Sequence, residues 1–372
     1  MLFKSWLAIS QYKNERFFFV NHNIDFKKSK TTSELWQCTA GNIGNAYMGY
    51  ASIKMLTGRF GKVDGIPNLW DFDEKAIDVN FVNRNYSKVV LCMQDQIRVD
   101  ESYYRPDYTR ICDFLDKIQL PFVVLSLGAN AIQAEYDTEL HLKLPKEKIR
   151  FLSLIASKSL EIGVRGYYSA EILNKLGIHN VNPVGCHTFF LNKKKKIGKT
   201  NVSLLKNVIT NGGLLPNNIV NDGLQFSYIL QCQNEDQSLF AQEIESRSKL
   251  TNLKGLNGLH HLNSSRKRAI YLPRTIDEWS NIIKKYDFSI GRRVHGTILA
   301  LNHNIPALLA SGDLRSREMS EIFSIPRDYT LNHTVDVRAV YDQSDFTALN
   351  KKFPVLYQRF LEFSEKNDVH IH

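Results

Sequence analysis

The chain has 372 residues, of which 43% are hydrophobic and 23% are charged, and its formal net charge is +10. This length suits two domains of ordinary size, and the composition excludes an intrinsically disordered protein. The positive charge indicates an anionic partner, although it does not choose among nucleic acid, lipid head groups and phosphorylated small molecules.

The cysteines and the apolar runs indicate in which cellular compartment the protein is expected. Five cysteines are scattered without a CxxC pair, so neither a disulfide framework nor a metal site is predicted. The N-terminal apolar run is too short for a signal peptide, and no apolar stretch is long enough to span a bilayer. We therefore expect a cytoplasmic protein. Peripheral contact with the inner face of the membrane is an alternative that the basic charge leaves open.

A glycine-rich turn is the first informative segment. Gly41-Asn42-Ile43-Gly44-Asn45 precedes a helix-length run that ends at Gly58. Glycines before a helix let backbone N–H groups approach a ligand, so Gly41, Asn42, Gly44 and Asn45 are candidates for a binding loop. A tight turn that only caps the helix is the alternative.

Two continuous apolar runs, 88–93 and 121–127, predict central parallel strands that are covered on both faces. The apolar spacing within 108–118 predicts a helix that joins them in a right-handed βαβ unit. Asn130 follows the second strand, at the edge where ligands bind in such sheets. It is a candidate for substrate contact, and a turn-closing role is the alternative.

The alternation continues with a strand over 161–164, a helix over 169–176 and a strand over 181–184. Arg165 lies at the predicted ligand edge, between the first of these strands and the helix. It is either a surface ion-pair partner or an anion ligand, and we favour the anion ligand because its loop position repeats that of Arg293. His187 and Thr188 follow Cys186 after the last strand, and their role stays open.

The lysine run at 193–196 is predicted to be a solvated linker between two domains, 1–195 and 196–340. A nucleic-acid patch is the sharper alternative, but no aromatic residues interleave with the lysines, so no nucleic-acid partner is expected. Residues 201–265 are weakly patterned, and His260 and His261 have no partner at metal spacing. A strand over 268–272 and a helix over 278–285 follow.

The stretch 286–318 contains two successive units of strand, loop and helix. In the first unit, a strand over 288–290 and a helix over 296–301 flank Arg292, Arg293 and His295. These side chains would lie beside a helix N-terminus, which favours an anion. His295 titrates near neutral pH and is the candidate for acid–base work.

The second unit repeats this design. A strand over 307–310 is followed by a loop with Asp313 and Arg315, and Ser316 is the predicted cap of a helix that carries Arg317. If the two strands pair, both loops open on one edge and form an anion site with an acid–base group inside it. Asp313 either orients His295 or an arginine, or caps the helix.

The C-terminal segment 341–372 is predicted to form an amphipathic helix. Its apolar residues recur at steps of three and four, at Phe346, Leu349, Phe353, Leu356, Phe360 and Phe363. Pro354 is expected to start a new turn or a kink. Such a helix needs a partner surface, and we expect it to cross back onto the first domain.

The stretch 286–318 resembles the C-terminal signature of the polysaccharide pyruvyl transferase family. The resemblance is carried by Arg293-Val294-His295-Gly296, Asn304-Ile305-Pro306 and the segment from Asp313 to Glu318. Weaker matches are the Gly41–Asn45 turn, Val164-Arg165 and Gly185-Cys186, whereas His187 and Thr188 depart from the family pattern. The resemblance implies an α/β fold with two Rossmann-like domains that face each other across a glycosyltransferase-B-like cleft.

The family resemblance also implies a reaction, in which the pyruvyl group of phosphoenolpyruvate forms a ketal with two hydroxyls of a sugar. The acceptor would be a sugar, an oligosaccharide or a lipid-linked glycan, and no cofactor or metal is implied. His295 and Asp313 are the predicted catalytic residues, with the direction of proton transfer by His295 left open. The predicted donor ligands are Arg165, Arg292, Arg293, Val294, Gly296, Arg315 and Arg317. The predicted acceptor side contains Gly41, Asn42, Gly44, Asn45 and Asn130.

Two other functions stay open at this point. A nucleotide-sugar-dependent glycosyltransferase would share the architecture and also use basic loops for a diphosphate. A non-catalytic polyanion-binding protein would use the net charge, but it does not explain why arginine, histidine and aspartate gather in two successive loops. Aromatic candidates for sugar stacking in the first half are Trp36, Tyr47, Trp70, Tyr103 and Tyr104. The oligomeric state is not predicted.

Overall fold

The computed structural model describes residues 15–26, 31–99, 106–130, 135–212, 219–220, 223–233, 269–328 and 335–372. Two parallel sheets organise them. The first contains, in spatial order, β2 (Gly65–Ile66), β1 (Phe17–Val20), β3 (Lys88–Cys92), β4 (Phe122–Leu127), β5 (Ile162–Val164) and β6 (Val181–Pro183). The second contains β10 (Ala269–Tyr271), β9 (Gln225–Ile229), β7 (Asn207–Asn211), β11 (Phe288–Gly291) and β12 (Ala307–Leu309). Two short strands, β8 (Ile219–Val220) and β13 (Val335–Asp336), pair with each other.

The α-helices of the described residues flank these sheets. They are α1 (Thr32–Cys38), α2 (Ile43–Thr57), α3 (Val79–Asn85), α4 (Tyr108–Asp116), α5 (Leu140–Lys143), α6 (Lys146–Ser157), α7 (Tyr167–Lys175), α8 (Ile276–Ile283), α9 (Val294–Asn302), α10 (Leu314–Phe323), α11 (Val337–Gln343) and α12 (Thr347–Lys366).

The first sheet is covered on both faces, since its central strands are buried at every residue although successive side chains point to opposite sides. In β1, Phe17 and Phe19 join one hydrophobic cluster, and Phe18 and Val20 join another. The predicted central strands are confirmed as β3 and β4, which are buried throughout and pair in parallel. The fold class is therefore α/β, as predicted.

The two sheets define two Rossmann-like units that face each other across a cleft. We call β1 to β6 with their helices the first unit, and β7 and β9 to β12 with theirs the second unit. The carboxyl ends of the strands meet in the cleft, where residues that follow β3, β5 and β6 approach residues that follow β11 and β12. This is the predicted glycosyltransferase-B-like arrangement. The domain boundary after residue 195 stays a prediction.

The C-terminal helix crosses back to the first unit, as predicted. A Cβ built on Gly163 of β5 would lie 3.0 Å from the ring of Phe363 in α12. Lys366 pairs with Glu161 at 2.6 Å, and beyond the helix Asp368 pairs with Lys88 of β3 at 2.8 Å. Pro354 lies inside a continuous α12, so it does not divide the helix into two segments.

Three local expectations need correction. α9 begins at Val294, so His295 lies in its first turn and not in the loop before it. Asp313 caps α10 by accepting a hydrogen bond from the Ser316 N–H, so the cap is not Ser316. Lys195 is not solvated, because its Nζ lies over the Phe189 ring and donates to Asn302 Oδ1 at 2.5 Å.

Some predicted features lie outside the described residues: Tyr103, Tyr104, His260, His261, Arg268 and much of 201–265. Among the helices that are described, none has the length and apolar character required to cross a bilayer.

Candidate active site

The N-terminus of α9 is shaped by two glycines that accommodate one asparagine. Asn211, at the end of β7, accepts a hydrogen bond from the Arg293 N–H at 3.0 Å. A Cβ on Gly291 or Gly296 would lie 2.3 or 2.4 Å from the Asn211 amide, so a side chain at either position would displace Asn211. Gly296 therefore lets Asn211 hold the start of the helix that presents His295 to the cleft.

His295 is buried between the two units. Its Nε2 lies 3.7 Å from the Sγ of Cys186, which in turn accepts a hydrogen bond from Thr188 Oγ1 at 3.0 Å. On the other side of the ring, a Cβ on Gly44 would lie 2.9 Å from Nδ1. The absent side chain of Gly44 thus makes room for the imidazole.

The surroundings of His295 keep its imidazole neutral. Burial lowers its pKa well below the ordinary value, and the positive charges of Arg165 and Arg315 and the proximity of His187 lower it further. Asp95 acts in the opposite direction but does not reverse the shift. The imidazole is therefore neutral and able to accept a proton, and an anion bound beside it would raise its pKa again toward the range in which a histidine works as a base.

Arg165 lies near His295 and is only 2% exposed. Its Nη2 contacts Met48 Sδ at 3.5 Å. Its Nε and Nη1 are buried and have no hydrogen-bond partner among the described residues. Buried polar groups in proteins are nearly always hydrogen-bonded, so these two donors indicate a place for an anion.

Arg315 of the second unit pairs with two carboxylates, Asp313 of its own unit and Asp95 of the first. Its Nη2 pairs with Asp313 at 3.0 Å and its Nη1 with Asp95 at 3.4 Å. Asp313 and Asp95 raise the pKa of Arg315, and Arg315 lowers the pKa of both carboxyls against the effect of burial. Asp313 therefore holds Arg315 and caps α10, and the structure gives it no contact with His295.

The remaining predicted donor ligands occupy different places. Val294 is buried in the core cluster that the two units share. Arg292 is half-buried beside Gly212. Arg317 pairs with Glu321 at 3.0 Å and stacks over the Tyr136 ring, so these contacts do not place it with Arg165 and His295.

A family comparison identifies the chain. The model of the family described as "Polysaccharide pyruvyl transferase" matches residues 42–313, which is most of the chain. The chain belongs to the polysaccharide pyruvyl transferase family. The matched segment includes Arg165 and His295 and ends at Asp313, so α10 and α12 of this pyruvyl transferase lie beyond it. No curated protein matches the chain significantly.

Solved structures resemble the pyruvyl transferase at low sequence identity. S. aureus MnaA, in a co-structure with UDP, is 12% identical and has a TM-score of 0.45, with 91% of this chain and 90% of that chain covered. The UDP-N-acetylglucosamine 2-epimerase from Rickettsia bellii is 10% identical and has a TM-score of 0.43, with 95% and 98% covered.

The predicted acceptor loop of the pyruvyl transferase bridges the two units. Asn42 forms an isolated antiparallel bridge with Cys232, and the Ile43 N–H donates to the Gln231 carbonyl at 3.0 Å. Asn42 caps α2 through the Gly44 N–H, and Asn45 donates to the Thr39 carbonyl. Gly41 has a φ of +73°, which the turn requires.

Asn130 and His187 have local partners. Asn130 donates to Asp95 at 2.7 Å and so supports the carboxylate that pairs with Arg315. His187 Nδ1 lies 2.6 Å from Ser126 Oγ, and its Nε2 lies 2.8 Å from the Met48 carbonyl. Burial lowers the pKa of His187 to about 4, so it is a neutral structural histidine.

Sequence reasoning missed three polar residues of the site, Asp95, Asn211 and Gln231. Glu318 belongs to the segment that carries the family resemblance, but no role was predicted for it. Asp95 follows the predicted strand over 88–93, and the rule that selected Asn130 also applies to it. Asn211 and Gln231 lie in the segment 201–265, where Asn, Gly, Ser and Gln surround the short apolar runs and no strand was predicted.

Proposed function

We propose that this pyruvyl transferase moves the pyruvyl group of phosphoenolpyruvate onto two hydroxyls of a sugar, forming a ketal and releasing phosphate. One observation carries the proposal: the Arg165 guanidinium is buried beside His295, with Nε and Nη1 lacking hydrogen-bond partners among the described residues. A buried arginine without acceptors for these donors is costly, and an anionic substrate would supply them.

The charges of phosphoenolpyruvate suit this part of the cleft. The donor carries a carboxylate and a phosphate, and each can accept two parallel hydrogen bonds from an arginine fork. Arg165 comes from the first unit, and Arg293 stands at the N-terminus of α9 in the second. The dipole and the first N–H groups of that helix add further attraction for an anion. Both units would therefore hold the donor.

His295 would carry the proton transfers. It takes the proton of the first sugar hydroxyl as that oxygen bonds to C2 of phosphoenolpyruvate, and it delivers a proton to C3, so that the CH₂ group becomes CH₃. The oxygen of the second hydroxyl then displaces phosphate at C2, and its proton leaves with the phosphate. The acceptor loses two hydroxyl protons, and His295 ends as it began.

Ligand-induced stabilisation tests the donor. We expect phosphoenolpyruvate to raise the melting temperature of the wild type by mass action, whereas a panel of nucleotide sugars leaves it unchanged. Arg165→Gln and Arg293→Ala should abolish the shift, and His295→Ala should retain most of it while losing phosphate release with sugar acceptors. The control is Arg150→Gln, because Arg150 is an exposed partner of Asp113.

The same assay, extended to polyanions and to added salt, distinguishes the proposal from the rival functions. A shift with a nucleotide sugar and none with phosphoenolpyruvate would replace the proposal by a glycosyltransferase. Binding of any polyanion that disappears with added salt and is indifferent to Arg165→Gln would support a non-catalytic protein.

A further inference from the structure

Cys186 is a fully buried thiol to which the proposed reaction gives no role. It follows β6 at the carboxyl edge of the first sheet. Gly185 before it has a φ of +84°, a conformation that glycine adopts without strain. A Cβ at this glycine would overlap the ring of Phe323 in α10. The glycine therefore lets the chain pass close to α10 and bring Cys186 to the imidazole of His295.

The sulfur of Cys186 contacts both a hydroxyl and an imidazole. Thr188 Oγ1 donates a hydrogen bond to Sγ at 3.0 Å, and His295 Nε2 lies 3.7 Å from Sγ. A thiol is a weak acceptor, and it is also a weak donor with a single hydrogen. Because the Thr188 hydroxyl supplies the hydrogen of the first contact, the thiol hydrogen is free for the second. The two contacts therefore suit a chain that runs from Thr188 through the sulfur to His295.

The helix α9 holds both partners of this thiol. His295 lies in its first turn, and Asn302 at its other end donates from Nδ2 to the Thr188 carbonyl at 2.6 Å. Lys195 Nζ donates to Oδ1 of the same amide at 2.5 Å, which fixes the orientation of the amide group. Thr188 is fully buried. The distances from the sulfur to the hydroxyl and to the imidazole are therefore set by one helix.

The ring of His295 is neutral, so one of its nitrogens carries a lone pair and the other a hydrogen. Burial lowers its pKa, and the charges of Arg165 and Arg315 lower it further. His187 acts in the same direction, and Asp95 opposes the shift without reversing it. Which nitrogen carries the hydrogen depends on the hydrogen bonds of the ring. A donor at Nε2 places the lone pair there and the hydrogen on Nδ1.

We propose that Cys186 is a positioning residue, whose S–H donates to His295 Nε2 and so selects the ring tautomer with its hydrogen on Nδ1. The inference rests on the proposed function, because Nε2 is then the nitrogen that takes the proton of the sugar hydroxyl. The other tautomer would put the lone pair on Nδ1, which lies 2.9 Å from the position of a Cβ added to Gly44. A thiol is a weak donor, so the substrate hydroxyl displaces it from Nε2 more readily than it would displace a stronger donor.

Substitution of Thr188 tests the direction of the hydrogen bonds. The assay is phosphate release per folded molecule from phosphoenolpyruvate, with methyl hexosides of gluco, galacto and N-acetyl-manno configuration. Thr188→Val removes the hydroxyl, so the sulfur can accept from Nε2–H, and kcat should fall about three- to tenfold without a change in the KM for phosphoenolpyruvate. Thr188→Ser keeps the hydroxyl and should keep the wild-type kcat. Packing alone predicts the reverse order, since valine fills the site better than serine, and that order would overturn the inference.

Cys186→Ala removes the donor itself and should change the pH profile. A hydrogen bond to the neutral ring disfavours its protonation, so its loss raises the pKa of His295. The reaction needs the neutral ring, so the acid limb of kcat should move up by about 0.5–1 pH unit. Cys92→Ala is the matched control, because this buried sulfur pairs with the Ser52 hydroxyl at 3.0 Å. An unmoved limb in Cys186→Ala, or an equal shift in Cys92→Ala, would contradict the positioning role.

Nitrogen-15 NMR of the histidine side chains tests the tautomer without turnover. The signals of His295, assigned by their absence in His295→Gln, should show a hydrogen on Nδ1 and none on Nε2. Thr188→Val should shift the population toward the other tautomer. A hydrogen on Nε2 in the wild type would overturn the inference. If phosphoenolpyruvate neither raises the melting temperature nor releases phosphate, the proposed function fails, and the NMR result still decides whether Cys186 donates to His295.

Discussion

Arg165 owes its position to the absence of a side chain at Gly128. A Cβ on Gly128 would lie 2.4 Å from Arg165 Cδ, so Gly128→Ala must displace the arginine. We expect this substitution to weaken phosphoenolpyruvate binding at least about tenfold, because a hydrogen bond to a charged group contributes about 1.5–3 kcal/mol. Isothermal titration calorimetry measures the change.

Gly198→Ala is the matched control, because nothing lies within 4 Å of the position of its added Cβ. It should bind phosphoenolpyruvate like the wild type. Equal affinity in Gly128→Ala and Gly198→Ala would show that Arg165 does not contact the donor.

His187 is expected to matter for stability and not for chemistry. His187→Ala leaves Ser126 Oγ and the Met48 carbonyl without their imidazole partner and opens a cavity in a fully buried place. We expect a loss of about 2–4 kcal/mol in the free energy of unfolding, measured by urea denaturation. The exposed His179→Ala should change it by less than about 0.5 kcal/mol. Loss of turnover per folded molecule in His187→Ala would contradict the structural role.

The contact between α10 and α7 depends on a buried carboxyl group. Glu318 of α10 accepts hydrogen bonds from the Ser169 N–H at 2.6 Å and the Ser169 hydroxyl at 2.7 Å. Burial raises the pKa of Glu318 to about 7 from an ordinary 4.5. The folded protein therefore holds a proton between these values that the unfolded chain releases, so this group's contribution to stability is lost as pH rises through that window.

Glu318→Gln removes this pH dependence. Relative to the variant, the wild type should lose roughly 3 kcal/mol of unfolding free energy between pH 4.5 and pH 8. Buried histidines contribute equally to both proteins, so they cancel in the difference. Urea denaturation at several pH values measures it, with the exposed Glu171→Gln as control. A difference independent of pH would show that Glu318 ionises in the folded state as readily as in the unfolded chain.

The elements with strong local patterns were predictable from the sequence. The continuous apolar runs correspond to β3 and β4, and the apolar stripe at 346–363 corresponds to α12. β1 is only four residues long and gives no periodic signal, yet it lies inside the first sheet. β7 and β9 contain β-branched and aromatic residues, but Asn, Gly, Ser and Gln surround them, and their place in the sheet is set by parallel pairing with each other.

The candidate site was predictable only where it depends on local sequence, and not where it depends on contacts between distant residues. Arg165 and His295 follow strands, so their place at the ligand edge is a consequence of local sequence. The pairing of Asp95 with Arg315 joins residues 220 positions apart across the cleft. No local sequence pattern predicts a contact between residues so far apart. The contact of Gln231 with Gly44 is unpredictable for the same reason.

The whole molecule is held together by a core that both units share. One hydrophobic cluster contains Val90 and Leu125 of the first sheet, Ile209 of the second and Phe360 of α12. α9 packs against α2 and against the segment 187–190 of the first unit. Separating the units would expose this surface, so we expect one cooperative unfolding transition in place of two.

The ion pair between Asp95 and Arg315 tests this cooperativity, because it joins the two units. In a double-mutant cycle with Asp95→Asn and Arg315→Met, we expect a coupling energy of about 1–2 kcal/mol in the free energy of unfolding.

The exposed pair of Arg150 and Asp113 is the control. Its atoms are closer, at 2.7 Å against 3.4 Å for Arg315 and Asp95, but the pair lies within the first unit and in solvent. Its coupling should stay below about 1 kcal/mol because water screens it. If the second unit unfolded separately, two transitions would appear, and the cleft pair would break in the first of them. Its coupling energy would then be absent from the second transition, and the two units would be thermodynamically independent.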